Sequence, residues 1–143
     1  MIYTDLTRLA MKLAFNAHIN QVDKSGIPYI YHPIHVAEQM TDEYSTCAAL
    51  LHDTIEDTDM TVDKIKGYGF PEQVIKALEL LTHDNQIPYI DYVKKIKTDS
   101  IARQVKIADL KHNSDLSRFN NINEKILERS KKYQEALEVL LDD

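Results

Sequence analysis

The amino-acid sequence predicts a compact all-α domain of about eight helices. Apolar residues recur every three or four positions along most of the chain, which is the spacing of a helix with one buried face. No segment keeps the alternating pattern of a β-strand, and the three glycines and four prolines fall between the periodic segments. A length of 143 residues fits one domain that buries a core of its own.

Each predicted helix is a periodic segment that begins near a capping residue or a proline. The eight segments cover approximately residues 4–21, 33–42, 45–55, 61–67, 71–81, 88–97, 100–116 and 123–141. The first has Leu6, Leu9 and Leu13 on one face. The second, fifth and sixth begin at prolines, because proline suits the first helical turn.

The remaining segments have other start and stop signals. The third contains the apolar run "CAALL" before a His-Asp pair, and Thr61 caps the fourth, which stops near Gly67. Ser100 is the predicted cap of the seventh, and the eighth starts near Asn123.

Charge and composition exclude several classes of function. The formal net charge of −6 argues against a nucleic-acid binder, which needs a basic surface. No apolar window approaches the ~18 residues of a membrane span, and no signal-peptide core is present at the start. The single cysteine, Cys47, permits no disulfide within one chain and reads as a small buried residue. We therefore expect a cytoplasmic protein, monomeric or homodimeric.

Four residues scattered along the chain predict one metal site: His32, His52, Asp53 and Asp109. Asp53 and Asp109 lie in apolar segments, where an unpaired carboxylate is costly to bury and a cation is a suitable partner. Taken singly, an inward histidine is more often hydrogen-bonded in a core, and an aspartate is more often a cap. Two imidazoles and two carboxylates without a thiolate favour manganese, iron or zinc in hydrolysis over a structural zinc.

Three segments carry a resemblance to a known family. "GIPYIYHPIHVA", "ALLHDTIEDTD" and "VKIADLKHNSDL" resemble the signature segments of the HD-domain phosphohydrolases, and more narrowly the RelA/SpoT-type alarmone hydrolase domain and its small stand-alone relatives. The resemblance implies a helical HD fold and a single manganese bound by the four residues above. It also implies removal of the 3′-pyrophosphate from guanosine tetra- and pentaphosphate, a small-molecule nucleotide substrate.

The resemblance further implies roles for residues around the metal. Glu56 and Asp57 follow the His-Asp pair by one helical turn and match the Glu-Asp that activates water in the family. Residues implied to bind substrate are Lys24, Asn113, Arg129 and Tyr133. For Glu56 and Asp57 the alternative is a solvated acidic helix end, and for Arg129 it is a surface ion pair.

The other histidines are assigned lesser roles. His18 is expected to support the fold, and His35 is expected in the core or beside the metal ligands. His83 and His112 are expected at the pocket rim or surface.

The sequence departs from the family around the substrate. Asp23 stands where the family's alarmone hydrolases carry an arginine against the guanine ring, and an aspartate is expected to repel a polyphosphate. Ser114 and Asp115 follow Asn113 at the point where the family's hydrolases tend to carry an arginine. The segment "IPYIDYV" around Pro88 is also less basic than the corresponding segment of the relatives. Two alternatives therefore stay open: a nucleotidase or pyrophosphatase acting on another nucleotide, and a nucleotide sensor without turnover.

Overall fold

The computed structural model describes residues 1–142 and confirms the all-α prediction. Its α-helices are α1 (Asp5–Ala17), α2 (Tyr31–Glu38), α3 (Glu43–Leu51), α4 (Thr54–Asp57), α5 (Val62–Gly67), α6 (Glu72–Leu81), α7 (Tyr89–Lys97), α8 (Ser100–Asn113) and α9 (Glu124–Leu141). A 3₁₀ turn, Leu116–Arg118, follows α8. Within residues 1–142 the only β pairing is an isolated bridge between Val22 and Pro28. Each predicted helix is present, and α4 is an additional short one.

Several predicted ends are wrong by a few residues. α2 begins at Tyr31 rather than Pro33, because proline fits anywhere in a first turn, whose N–H groups have no intrahelical partner. It ends before Asp42, whose carboxylate instead caps α3 by accepting a hydrogen bond of 2.8 Å from the Ser45 N–H. Asp99, not Ser100, caps α8. Thr61 caps α5 as predicted.

α3 is the central helix of the core. It packs against α1, α2, α6 and α8, and Leu50 and Leu51 are fully buried. Burying a side chain of this size stabilises the fold by about 1.5–3 kcal/mol. Cys47 is also buried, as predicted, and burial raises the pKa of its thiol to about 12. The thiol is therefore protonated at neutral pH and is not a nucleophile.

α8 connects the core to the last helix. It packs against α2, α3, α6, α7 and α9. The first turn of α2 and the residues after α3 meet α8 at Asp109, and this meeting point is the candidate site described below. None of the helices in residues 1–142 combines the length and apolar character needed to cross a bilayer.

Candidate metal centre and substrate cavity

The structure brings the four predicted ligands together from three helices. His32 lies in the first turn of α2, His52 and Asp53 follow α3, and Asp109 lies on α8. One ligand atom from each residue lies within 4.8 Å of the others. His32, His52 and Asp109 are each 3% exposed, so the cluster is largely removed from water.

A break after α3 lets two consecutive side chains face the same point. α3 ends at Leu51 and α4 begins at Thr54, whose hydroxyl donates a hydrogen bond of 2.8 Å to the Leu51 carbonyl. His52 and Asp53 lie in this break, with Nε2 of His52 3.0 Å from Oδ2 of Asp53. A straight helix would turn neighbouring side chains about 100° apart.

The distances within the cluster fit one divalent cation. Ligands bound at about 2.1 Å and at right angles to each other lie about 3.0 Å apart. The nitrogen–oxygen distances are 2.8 Å for His32–Asp109, 3.0 Å for His52–Asp53, 3.3 Å for His52–Asp109 and 3.6 Å for His32–Asp53. Two imidazole nitrogens and two carboxylate oxygens suit manganese, iron or zinc.

Neighbouring groups orient the ligands. Nδ1 of His52 lies 2.6 Å from the Ala49 carbonyl, which directs its Nε2 towards the cluster. Nδ1 of His32 lies 2.7 Å from Nδ1 of His112. The Tyr29 hydroxyl donates a hydrogen bond of 2.5 Å to Oδ2 of Asp53. Such contacts set the ring tautomer and the basicity of metal ligands.

Asp109 has a cation and an amide beside its carboxylate. Lys106 Nζ lies 3.0 Å from Oδ2, and the Asn113 side-chain amide donates a hydrogen bond of 3.0 Å to Oδ1. Burial opposes ionisation of Asp109, but Lys106 and the two histidines outweigh it and hold its pKa well below the usual range. Asp109 is therefore a carboxylate, the form that binds metal.

The cluster compensates its own charges when no cation is bound. Burial lowers the pKa of His52, but the Asp53 and Asp109 carboxylates outweigh it and raise that pKa well above the ordinary value. Burial raises the pKa of Asp53, but His52 outweighs it and the pKa falls to about 2. A divalent cation would replace the imidazole proton as the counter-charge of the two carboxylates.

Glu56 and Asp57 lie on α4, directly after the ligand pair. The Glu56 carboxylate accepts a hydrogen bond from the His83 N–H. Partial desolvation, and after it the Asp53 carboxylate, raise the pKa of Asp57. Desolvation also raises the pKa of Glu56; the hydrogen bond from His83 opposes this rise and the Asp53 carboxylate adds to it. Both residues therefore lie within electrostatic reach of the cluster while remaining open to solvent.

A cavity of about 330 Å³ adjoins the cluster and brings all four predicted substrate-binding residues together. Its lining residues are Val22, Asp23, Lys24, Tyr29, Asn113, Arg118, Phe119, Ile126, Arg129 and Tyr133. Tyr29 and Asn113 connect it to the cluster, because both hydrogen-bond a ligand carboxylate. A second cavity of about 390 Å³ shares Asp23, Tyr29 and Arg118 with the first and is also lined by His32.

Asp23 does not act as the sequence suggests. Its Oδ1 accepts hydrogen bonds from the Ser25 N–H at 2.8 Å and the Ile27 N–H at 3.0 Å. Its Oδ2 lies 3.8 Å from a guanidinium nitrogen of Arg118. The carboxylate therefore closes its own loop and has a counter-charge nearby, which compensates part of the expected repulsion of a polyphosphate.

The four histidines outside the ligand set make different contacts, and not all of these match the roles expected from the sequence. His18 is buried, with Nδ1 2.8 Å from the Gln21 amide oxygen, as expected of a supporting residue. His35 stacks on His112 at 4.0 Å between ring centroids. His83 contacts the Ile87 carbonyl and Glu56. His112 is more than the rim or surface residue expected from the sequence, because its ring contacts the metal-ligand residue His32 directly.

Sequence reasoning missed Tyr29, Lys106, His112 and Arg118 as parts of the site. Lys106 lies three residues before Asp109 on α8, a spacing that places both side chains on one helical face. Tyr29 lies three residues before His32, and this spacing could have indicated a phenol beside a metal ligand. For Arg118 there is no local signal, because it lies in a turn.

The comparison with protein families agrees with this geometry. The model of the HD domain family matches residues 10–114, a stretch that contains all four ligands. The chain belongs to the HD domain family. The family resemblance read from the three signature segments is thereby confirmed.

Several curated proteins are similar to this HD domain. Guanosine-3′,5′-bis(diphosphate) 3′-pyrophosphohydrolase MESH1 of Homo sapiens is 38% identical over 109 residues, which are 67% of this chain and 60% of that protein. The MESH1 protein of Danio rerio is 34% identical over 122 residues, 76% of this chain and 67% of that protein. A guanosine-3′,5′-bis(diphosphate) 3′-pyrophosphohydrolase of Aquifex aeolicus is 43% identical over 84 residues, 56% of this chain and 12% of that protein. This chain thus spans about three fifths of the human relative.

A solved structure shares the fold. It is that of a metazoan SpoT ortholog described as hydrolysing ppGpp, and it matches with a TM-score of 0.80 at 22% sequence identity. The match covers 99% of this chain and 88% of that chain. The predicted helical HD-domain fold is therefore confirmed.

Proposed function

We propose that this HD domain is a metal-dependent hydrolase that removes the 3′-pyrophosphate from guanosine tetraphosphate or pentaphosphate. The observation that carries the proposal is the convergence of four ligand atoms within 4.8 Å, from three buried residues and the partly buried Asp53, next to a cavity lined by basic side chains. The names of the human, zebrafish and Aquifex relatives supply the substrate.

The proposal assigns one divalent cation, manganese, to His32, His52, Asp53 and Asp109. The absence of a thiolate and the mixture of nitrogen and oxygen ligands suit manganese, iron or zinc, and the resemblance to the RelA/SpoT-type hydrolases supports manganese among them. Bound there, a divalent cation would supply Lewis-acid polarisation of a phosphate oxygen and make water more acidic.

Glu56 and Asp57 are assigned to proton transfer. Water attacks the phosphorus next to the ribose 3′ oxygen, and a carboxylate accepts a proton from that water. The bond from the phosphorus to the 3′ oxygen breaks, pyrophosphate leaves, and the carboxylic acid returns the proton to the 3′ oxygen as the ribose hydroxyl. A base acts best when its pKa lies near the working pH, and partial desolvation shifts the pKa of both residues in that direction. Their position directly after Asp53, whose charge contributes to the pKa shift of both, supports this role over that of a solvated helix end.

The substrate phosphates and base are assigned to the 330 Å³ cavity. Lys24 and Arg129 supply positive charge, and the guanidinium of Arg129 suits phosphate through its planar shape. Asn113 supports nucleotide binding next to the cluster, since its amide already hydrogen-bonds Asp109. Tyr133 is one helical turn after Arg129 on α9, and both line the cavity.

The proposal needs residues of only one chain, which fits either a monomer or a homodimer. A cytoplasmic location is part of the proposal, because the free, buried Cys47 is compatible with a reducing compartment.

A product assay tests the function. Purified protein is loaded with manganese and incubated with guanosine tetraphosphate, and pyrophosphate and orthophosphate are measured separately. The proposal predicts that pyrophosphate and guanosine diphosphate are formed, and that neither is formed when a chelator is present. Orthophosphate from other nucleotides would indicate a nucleotidase instead, and saturable binding with no product would indicate a sensor.

A further inference from the structure

Arg118 is the last residue of the 3₁₀ turn after α8, and its side chain contacts both the end of α8 and Asp23. Its guanidinium Nη1 donates hydrogen bonds to the His112 carbonyl at 2.9 Å and to the Asn113 side-chain oxygen at 3.3 Å. Its Nη2 lies 3.8 Å from Asp23 Oδ2. The side chain is 20% exposed, so the charge is held near the surface of the site rather than in bulk solvent.

The backbone of Arg118 is fixed from the opposite loop. The Ser25 hydroxyl donates a hydrogen bond of 2.8 Å to the Arg118 carbonyl. Together with the Asp23–Arg118 ion pair, this hydrogen bond joins the loop and the turn after α8 at two points, and within the loop Asp23 Oδ1 accepts the Ser25 N–H. The orientation of Arg118 is therefore set before any ligand binds.

Arg118 lies in the wall between the two cavities. It lines the 330 Å³ cavity together with Lys24 and Arg129, and the one acidic lining residue there is Asp23. Three cations and one carboxylate give this wall a positive charge, although the whole chain has a net charge of −6. A local charge of this sign favours a ligand with several negative charges.

Part of the guanidinium is available to such a ligand. Arginine carries five N–H donors, and both hydrogen bonds of this side chain leave from Nη1. Across residues 1–142, neither Nη2 nor Nε of Arg118 donates a hydrogen bond to another residue. The N–H groups of the Nη2–Nε edge have the spacing to donate to two oxygens of one phosphate.

We propose that Arg118 is a further substrate-binding residue, whose Nη2–Nε edge contacts a phosphate of the nucleotide while Asn113 and Asp23 position the guanidinium. This inference rests on the proposed nucleotide function and assigns a recognition residue within it. Arg118 thus selects a polyphosphate without touching the metal ligands.

Kinetics of Arg118 variants test the inference. Arg118→Gln, loaded with manganese, is expected to raise KM for guanosine tetraphosphate about 10- to 100-fold while kcat stays within about twofold. Arg118→Lys keeps the charge but loses the planar edge, so its KM is expected to rise about 3- to 10-fold. Arg8→Gln, an exposed α1 residue, is the matched control and keeps the wild-type KM.

Two results would overturn the inference. One is a wild-type KM in Arg118→Lys and Arg118→Gln. The other is a fall in kcat and melting temperature with no change in KM, which is what a purely structural residue would produce.

The proposed function is tested separately by the wild-type protein. If the wild type releases no pyrophosphate, that function fails, and Arg118 is then judged by equilibrium binding of guanosine tetraphosphate to the manganese-loaded protein. A 10-fold or greater rise in Kd for Arg118→Gln, about one charge-assisted hydrogen bond, supports the inference. An unchanged Kd, or no binding by the wild type, overturns it.

Discussion

The ammonium group of Lys106 lies 3.0 Å from Oδ2 of Asp109, the carboxylate oxygen opposite to the one that faces the two ligand histidines. Lys106 is 13% exposed along its side chain, so this ion pair is largely buried. Asp109 therefore offers one oxygen to the metal position and has the other compensated by a lysine on its own helix.

Loss of this lysine should weaken the fold when no metal is bound. Lys106→Met leaves the buried carboxylate of Asp109 without its cation, and removal of one partner of a buried pair costs about 3–5 kcal/mol. We expect the free energy of unfolding in urea to fall by about this amount with a chelator present, and by less with manganese. The control is Lys111→Met, on the exposed face of α8. Equal stability of Lys106→Met and wild type would contradict this account.

His112 should tune metal affinity without binding the metal. Its Nδ1 lies 2.7 Å from Nδ1 of His32, so it sets which nitrogen of His32 is free for a cation. His112→Phe keeps a ring at this position but removes the contact, and we expect metal affinity to fall about 10- to 100-fold. Titration with manganese measures the change. The control is His35→Phe, which keeps a ring stacked on His112 and should bind manganese as the wild type does. Equal manganese affinity of His112→Phe and His35→Phe would exclude the role assigned to His112.

Stability of the metal-free protein should depend on pH through the cluster. The pKa of His52 is raised above 6.5, so its stabilising contribution is complete below that pH and is lost as the pH rises through the higher folded value. The pKa of Asp53 falls from 3.8 to about 2, so its contribution is present above pH 3.8 and is lost as the pH falls towards 2. The contribution of this pair is therefore greatest between pH 3.8 and 6.5.

Metal binding should release a proton near neutral pH. A cation needs the neutral imidazole of His52, which is protonated in the metal-free protein because its pKa is raised. Calorimetry at pH 7 in buffers of different ionisation enthalpy should detect about one proton released per manganese. The gain in melting temperature with manganese should be larger at pH 8 than at pH 6. Binding without proton release would show that the cluster holds no such proton.

Removal of the acidic pair on α4 should affect turnover and leave metal binding intact. Glu56→Gln and Asp57→Asn are each expected to lower kcat about 10²- to 10⁴-fold, the range for a positioned acid or base. Manganese affinity should stay close to wild type, since neither residue belongs to the ligand cluster. Asp59→Asn, in the same acidic segment, is the control. Full activity of both variants would assign the segment to the solvated helix end considered from the sequence.

The sequence predicts helices better than it predicts their ends. Apolar spacing identifies the eight predicted segments because each helix buries one face. Helix ends depend on single hydrogen bonds, such as that from the Ser45 N–H to Asp42, which compete with equally plausible caps nearby. The break at His52 and Asp53 left no clear signal either, because the apolar pattern continues through it.

Prediction of the site succeeded where chemistry requires particular residue types. The four ligands stand out because buried carboxylates need compensation, and the structure places them together. Residues that act through distant contacts stayed hidden: 80 residues separate His32 from His112, and the Asp23–Arg118 pair joins two turns. Because no local spacing encodes such pairs, the sequence alone suggests repulsion at Asp23 where the structure shows compensation.

Anomalous scattering from crystals grown with manganese is the most direct test of the metal site. The account predicts one peak about 2.0–2.3 Å from Nε2 of His32 and His52 and from one carboxylate oxygen of Asp53 and Asp109. It would be contradicted by an absence of density at that point, or by a peak bound only to other side chains.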